Sequence, residues 1–469
     1  MNAMKQLVFR LLPLLMLLIG SAASAQGLRF QYNGSSNLTT EQANADIDTL
    51  INMMERIHPD LYANRSERSF KRDVASLHKH FAKQDSVNKF DLYIALMELI
   101  APFNEGHLVV ANNAYNRVEG NAYFPFAIQI DPTTHTLALK KSAKIDDVHY
   151  QAGDEITHIN GIKTQKIIEA MRRQLATEKD FVRYSQLSDG VFNIRMAWLN
   201  PTGEYTLRLK SARGRETINA RGWSAKELSK ALQQEKVAPY SYELLDDSTM
   251  LFHFNACQLK GFNYFAKEMF STARERNIRH LIIDVRSNGG GNSNTGDEIC
   301  RYISSKPFHW ISHTTQRISE PVRQQRNLTL PDTLIHYPPI TEEQLMQPYP
   351  DSVRFNGKCY LLMSHRTYSS AASFAWEFTR FGMGVAIGEE VGDPAISTGD
   401  VIYQQLPHSR FTVGIPYKIF YSYGLREGEP NRGALPDIAV PKDQALECAL
   451  KLIREGRRRT TLGEIQIKN

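Results

Sequence analysis

Two short stretches carry the residue types of acyl-transfer chemistry. In "LIIDVRSNGGGN" (281–292) an apolar run ends in Gly289, Gly290 and Gly291, set between Asn288 and Asn292. Glycines free the backbone for positive φ and let another group approach closely. At the end of a buried strand, such a loop aims N–H groups into the crevice beyond it. Two tasks fit: cradling a phosphate or holding an oxyanion. A phosphate loop calls for Lys followed by Ser or Thr, and none follows; the GxGxxG spacing also fails. A plain turn is the competing reading. In "TYSSAASFAWEF" (367–378), Ser369 follows the apolar run "KCYLLMS" and opens a helical pattern. A serine at a strand-to-helix elbow is exposed at the sheet edge, where the helix dipole stabilises negative charge. The bland alternative is that Ser369 or Ser370 only caps the helix. A nucleophilic serine needs a base. His107 in "NEGHLVV" lies on a turn after a glycine. His58 precedes Pro59, His365 shares the connection with Ser369, and His408 sits in "LPHSR". Periodicity alone does not choose among them.

The elements that must position these residues fall into three segments. From about Thr39 to Phe103 the pattern is helical: Ile47, Leu50, Ile51, Met54 and Ile57 share one face. Thr39 and Gln42 form a capping box before it. "FDLYIALMELIAPF" repeats the pattern, and "NEGHLVV" then turns into a β-prone run. From about Tyr123 to Leu209 short strands are expected, with Asn160-Gly161 as a hairpin turn and an amphipathic helix through Ile167, Ile168 and Met171. From about Tyr240 to Leu452 strands and helices alternate, as in an α/β core. There "HLIIDV", "KCYLLMS" and "VAIGEE" read as strands, and a polar stretch from about Ser305 to Phe355 reads as an insertion over a cleft.

The bulk numbers set the frame. A chain of 469 residues is too long for one ordinary core, which implies two or three domains. Hydrophobic content of 42% and charged content of 23% fit a globular protein. Lys5 and Arg10, the apolar "LLPLLMLLIG" and the small residues Ala23 and Ala25 have the layout of a signal peptide cut after Ala25. Export follows, to the periplasm or the medium, and no later apolar run is long enough for stable membrane insertion. The net charge of +6 is mild for this length. The basic cluster Arg454 and Arg457–Arg459 reads as a solvated tail, not a nucleic-acid site. Cys257, Cys300, Cys359 and Cys448 form no CxxC pair, which speaks against zinc. Buried thiols with at most one bridge are expected.

Together these pieces resemble the serine peptidase family of tail-specific, C-terminal-processing proteases and, within it, the tricorn-core branch. "LIIDVRSNGGGN" resembles that family's strand and glycine loop. "TYSSAASFAWEF" followed by "VAIGEEVGD" resembles its nucleophile helix and next strand. "NEGHLVV" resembles its "DGHT" turn, with Glu105 and Leu108 as departures. "GDEITHINGIKTQKI" resembles its PDZ-like module, and "LPDIAV" its closing strand. The resemblance implies an α/β multidomain protein: a signal peptide (1–25), an N-terminal helical domain (26–115), a PDZ-like β-rich domain (120–225), an α/β peptidase core of crotonase/ClpP-like type (230–455) with an insertion (305–355), and a basic tail (456–469). It implies Ser369 as nucleophile, with Ser370 as the neighbouring alternative. The oxyanion donors would be the backbone N–H of Gly290 or Gly289 and that of Ser370. One branch of the family uses a lysine after the "GE" strand, but Pro394 occupies the expected place here. The tricorn-like branch uses Ser, His and Glu, which selects His107 and, before the "PDI" strand, Glu429 or Glu427. The expected function is that of an exported serine endopeptidase acting on peptides or proteins through an acyl-enzyme, with no cofactor or metal required. The alternative is a non-catalytic relative binding peptides or apolar ligands. The oligomeric state is left open.

Overall fold

The structure, a computed structural model, describes residues 28–145, 148–232 and 237–467, the stretch 457–467 as backbone only. The signal-peptide segment lies outside the described residues. The N-terminal segment folds into helices Thr40–Ile57, Glu67–Phe81 and Lys89–Ile100. The Thr39 hydroxyl accepts from Gln42 N–H and the Gln42 side chain accepts from Thr39 N–H, so the capping box forms. Ile47, Leu50, Met54 and Ile57 on the expected face are fully buried.

The next segment builds a six-stranded sheet around Glu204–Ser211, Gly214–Arg221 and Glu155–Ile159. Asn160 and Gly161 both take positive φ and join Glu155–Ile159 to Ile162–Lys163, as a two-residue hairpin requires. The helix Thr164–Arg172 follows. One difference stands out: residues 180–199, expected among short strands, form two helices, Asp180–Gln186 and Phe192–Leu199, on either side of a kink at Asp189 and Gly190. Phe192, Asn193, Arg195, Met196, Ala197 and Trp198 are all buried, so the second helix has no polar face and leaves no helical period to read. The expected boundary near residues 115–120 does not divide the core either. Ile47, Phe90, Phe124, Ile156 and Trp198 belong to one apolar cluster that also takes in Val413.

The α/β core is a mostly parallel sheet in the order Tyr240–Asp246, Thr249–Phe254, His280–Asp284, Lys358–Met363, Val385–Gly388, Ile438–Ala439. Its strands are apolar on both faces because both are covered. Leu281, Ile283, Leu361 and Met363 pack toward the helices Phe262–Glu275, Asn294–Ile303 and Ser370–Arg380. Ile282, Tyr360 and Leu362 pack against Ala445, Ala449 and Ile453 of the C-terminal helix. That helix runs from Ala445 to Ile467, so the segment expected as a solvated tail continues a helix.

The stretch 305–355 is not a separate cover. Its strands Ile311–Ile318 and Thr333–His336 join Thr412–Ser422 and Ile396–Gln405 in a second sheet. Val109–Ala111, directly after the histidine turn, pairs antiparallel with Thr412–Gly414 in that sheet. This pairing carries residues near position 107 to the α/β core. Cys257, Cys300 and Cys359 are buried, Cys448 is half-buried, and all four are free thiols. Among the described residues no helix is long and apolar enough to cross a membrane.

Candidate active site

His280–Asp284 and Lys358–Met363 are parallel neighbours in register, Leu281 opposite Cys359 and Ile283 opposite Leu361. Their C-terminal ends therefore open at the same sheet edge, where α/β proteins form their crevices. Both sites singled out from the sequence leave from that edge. Hydrogen bonds lock the two loops together. Ser364 Oγ donates to the Arg286 carbonyl (2.6 Å), Thr367 Oγ1 to the Val285 carbonyl (2.8 Å), and Tyr368 N–H to the Asn288 carbonyl (3.0 Å).

Asn288 is fully buried, its Nδ2 donating to the Phe254 carbonyl and its Oδ1 accepting from Gly290 N–H at 2.9 Å. The three glycines differ in what they do. Gly290 has φ +101, and a Cβ there would lie 2.6 Å from Ser369 Cβ and 2.9 Å from Ser370 N. Gly291 has φ +140 and closes against the Cys257 carbonyl. Gly289 faces open space. The loop thus needs glycine at Gly290 for direct approach to the serine elbow. Because Gly290 N–H is held by Asn288, the sequence-based donor Gly289 is the less committed of the pair.

Ser369 takes φ 51 and ψ −131, a conformation that costs a non-glycine residue about 1–3 kcal/mol. It is the residue preceding the helix Ser370–Arg380, yet its side chain makes no capping hydrogen bond. The plain N-cap reading therefore does not describe it. Ser370 Oγ instead donates to the Gly291 carbonyl at 2.8 Å, tying the glycine loop to the helix. Ser370 N–H lies in the first helical turn, where no intrahelical acceptor exists.

His107 approaches from the second sheet. Its ring lies 5.0 Å from the Tyr368 ring, one residue before Ser369. The turn that holds it is close-packed: a Cβ at Gly106 would collide with the Tyr368 hydroxyl. Glu178 Oε1 accepts both Gly106 N–H and Tyr368 Oη–H at 2.7 Å. Glu105, one of the departures from the "DGHT" pattern, is buried. It accepts from His58 Nε2 at 2.7 Å and also bonds Thr398 Oγ1. Asp60 N–H donates to His58 Nδ1, which fixes Nε2 as the protonated nitrogen of that ring. Burial raises the Glu105 pKa, but the His58 and Thr398 bonds outweigh it and hold the carboxyl below its usual value.

Ligand atoms of His107, Glu178 and Asp393 lie within 4.8 Å of one another. Burial lowers the His107 pKa against the opposing pull of Glu105 and Asp400, which leaves a neutral imidazole at pH 7. Burial pushes Glu178 up to about 7. Burial, then the Glu178 charge, holds Asp393 well above the usual carboxylate range, although Ser369 N–H favours its ionised form. Asp393 thus links the two halves of the site, touching the serine backbone on one side and the histidine cluster on the other. No hydrogen bond joins His107 to Ser369 among the described contacts; such bonds are often long in unliganded sites. A cavity of about 470 Å³ borders the cluster, lined by Glu105, Glu178, Ser397, Thr398 and Tyr421 among others.

The other sequence candidates lie elsewhere. Glu429 Oε2 accepts from Arg380 at 2.7 Å and from Arg426 N–H at 2.9 Å. Arg380 ends the helix that Ser370 begins, about 15 Å along its axis. Glu427 is exposed on the same loop. The structure therefore sets neither glutamate beside His107; the carboxylates found there are Glu178 and Asp393. His365 Nδ1 donates to the Glu390 carbonyl at 2.8 Å, and Lys418 pairs with Asp400 at 2.6 Å. Asp393 could have been found, since it immediately precedes the Pro394 that replaces the expected lysine. Glu178, in "LATEKDF", carries no sequence signal of this kind.

Comparison with known proteins agrees with this core. Residues 254–440 match the model of peptidase family S41. Among solved structures, mature CPAF aligns with TM-score 0.61 at 12% identity, covering 87% of this chain and 94% of that one. CPAF complexed with lactacystin aligns at 0.61 and 12% identity, covering 90% and 98%. The photosystem II D1 C-terminal processing protease aligns with TM-score 0.42 at 12% identity, covering 86% and 94%. At these identities the likeness is one of fold. The family match spans both the glycine loop and the serine elbow, so residues 254–440 carry the peptidase family S41 domain, and on that ground the protein is a serine peptidase.

Proposed function

We propose that the protein is an exported endopeptidase that cleaves peptide bonds through an acyl-enzyme on Ser369, with His107 as general base. The observation that carries this reading is the elbow itself. Ser369 is held in a costly backbone conformation, without a capping bond, against Gly290 and beside the first-turn N–H of Ser370. His107, kept neutral by burial, takes the Ser369 proton as the hydroxyl attacks the substrate carbonyl. The N–H groups of Ser370 and of the glycine loop, Gly289 or Gly290, receive the oxyanion. Using Gly290 requires its N–H to leave Asn288 Oδ1. Losing one such donor typically costs about 100- to 1000-fold in rate. The protonated His107 then passes its proton to the leaving amine, and water completes hydrolysis with the same residue as base.

The carboxylate that orients the imidazole is assigned to the Asp393–Glu178 pair. Glu429 is engaged with Arg380 and is not proposed for this role. A PDZ-like function for residues 120–225, and export after cleavage at Ala25, belong to the same reading and rest on the sequence patterns alone. The test is peptide hydrolysis by the wild type, Ser369→Ala and His107→Ala, with folding checked by circular dichroism. Both variants are expected to fold and to lose turnover. Unchanged hydrolysis in His107→Ala removes that residue from the mechanism and turns attention to Lys418, which would first have to leave Asp400.

A further inference from the structure

Within the His107 cluster, three side chains each keep a buried polar atom without a partner: His107 Nδ1, Glu178 Oε2 and Asp393 Oδ1. Such orphaned atoms are rare in folded proteins, and each calls for an explanation. Asp393 is 5% exposed, so bulk water does not supply the missing bond. Among the described residues, neither Glu178 nor Asp393 forms an ion pair with a lysine or arginine. The nearby cations are otherwise engaged: Lys418 with Asp400, and Lys179 with the Asn431 carbonyl. Two buried carboxyls without a cationic partner must hold protons or gain a positive ion. One imidazole nitrogen and two carboxylate oxygens, mutually within 4.8 Å, make a donor set that suits zinc and its neighbours in the transition series.

We propose that His107, Glu178 and Asp393 form a binding site for a divalent transition-metal ion of the zinc class, and that occupancy inhibits the peptidase. The ion displaces protons from the two carboxyls and takes a lone pair of the His107 imidazole. Water fills the remaining coordination position, as in three-ligand zinc sites. A metal-bound His107 cannot accept the Ser369 proton, so the ion silences hydrolysis without touching the serine. The binding claim stands on the three side chains alone; the inhibition claim rests on the reading of His107 as base.

The experiment is calorimetric titration of the full mature chain, freed of metal by chelator, with zinc chloride, alongside peptide hydrolysis in the same buffer. One equivalent is expected to bind in the wild type and equally in Ser369→Ala. Glu178→Gln and Asp393→Asn are each expected to weaken binding by about 100-fold. Cobalt(II) provides a second readout that does not need activity: visible d–d absorption in the wild type, lost in both variants. Hydrolysis should fall in step with zinc occupancy and return with EDTA. Absent binding, or binding unaltered in the two folded variants, overturns the site. Binding that both variants lose, with hydrolysis undiminished, keeps the site but removes His107 as base.

Discussion

The helix Ser370–Arg380 has buried carboxyls in two places. At its N-terminal end Glu178 and Asp393 lie beside His107. On its buried face Glu377 interacts with Asp297 and the Cys300 thiol of the neighbouring helix. The titration behaviour of the two places is alike. Burial pushes Glu178 and Asp297 each to about 7 and holds Glu377 well above its usual value. Their surroundings differ. Glu178 borders a cavity of about 470 Å³, and the cluster reaches the backbone of a strained serine. Glu377 is 0% exposed, on a helix whose Phe374, Ala375 and Phe378 are buried as well. A raised carboxyl pKa therefore marks desolvation in both places, and access together with reactive neighbours separates a site from a core.

The sharpest way to break that comparison is to change one residue from each place. Ser369→Ala is expected to lower kcat/KM for peptide hydrolysis by about 10⁴-fold or more. Glu377→Gln is expected to keep it within about threefold, under 1 kcal/mol of barrier. A large activity loss in a folded Glu377→Gln would erase the distinction. Within the glycine loop, Gly290→Ala drives a methyl into Ser369 and should cost about 100-fold in activity, with about 1–3 kcal/mol of stability. Gly289→Ala, which meets open space and keeps its N–H, should lie within about 1 kcal/mol of wild type by urea denaturation.

The pH dependence of stability should be common to both places. The folded Glu178 pKa of about 7 stands above its ordinary 4.5. The folded protein therefore binds the proton more tightly than the unfolded chain. This contribution is complete below pH 4.5 and is lost as pH rises through 7. Glu178→Gln should gain on the wild type by a few degrees in Tm, about 2–4 °C per kcal/mol, between pH 5 and 8. Asp297→Asn should gain similarly, while only Glu178→Gln alters the pH–rate profile. The smallest effect is expected at Glu429, whose surface pair with Arg380 is screened by solvent and adds little to stability. Glu429→Ala should leave turnover unchanged; a fall matching His107→Ala would return Glu429 to the site.

Much of the peptidase core was legible because its signals are local. The double-sided strands, the glycine loop and the serine elbow each sit within a dozen residues. The Asn160-Gly161 hairpin and the Thr39–Gln42 capping box were equally local. What escaped depends on distant pairing. Glu178 meets Gly106 and Tyr368 across 72 and 190 positions of chain, and no spacing rule reaches that far. The stretch 305–355 reads as an insertion in the sequence because Ile311–Ile318 joins the second sheet through Thr412–Ser422, about a hundred residues on. The helix Phe192–Leu199 hid its period by burying nearly all of its residues. Glu429 fitted a linear pattern, but Arg380 holds it at the opposite end of the helix from Ser369.

The most direct measurement is to react the folded chain with a fluorophosphonate and map the adduct by tandem mass spectrometry. The account predicts a single phosphonylated residue, Ser369, with labelling strongly reduced in His107→Ala. An adduct on Ser370 or on any other serine, or none in folded wild-type protein, would contradict it.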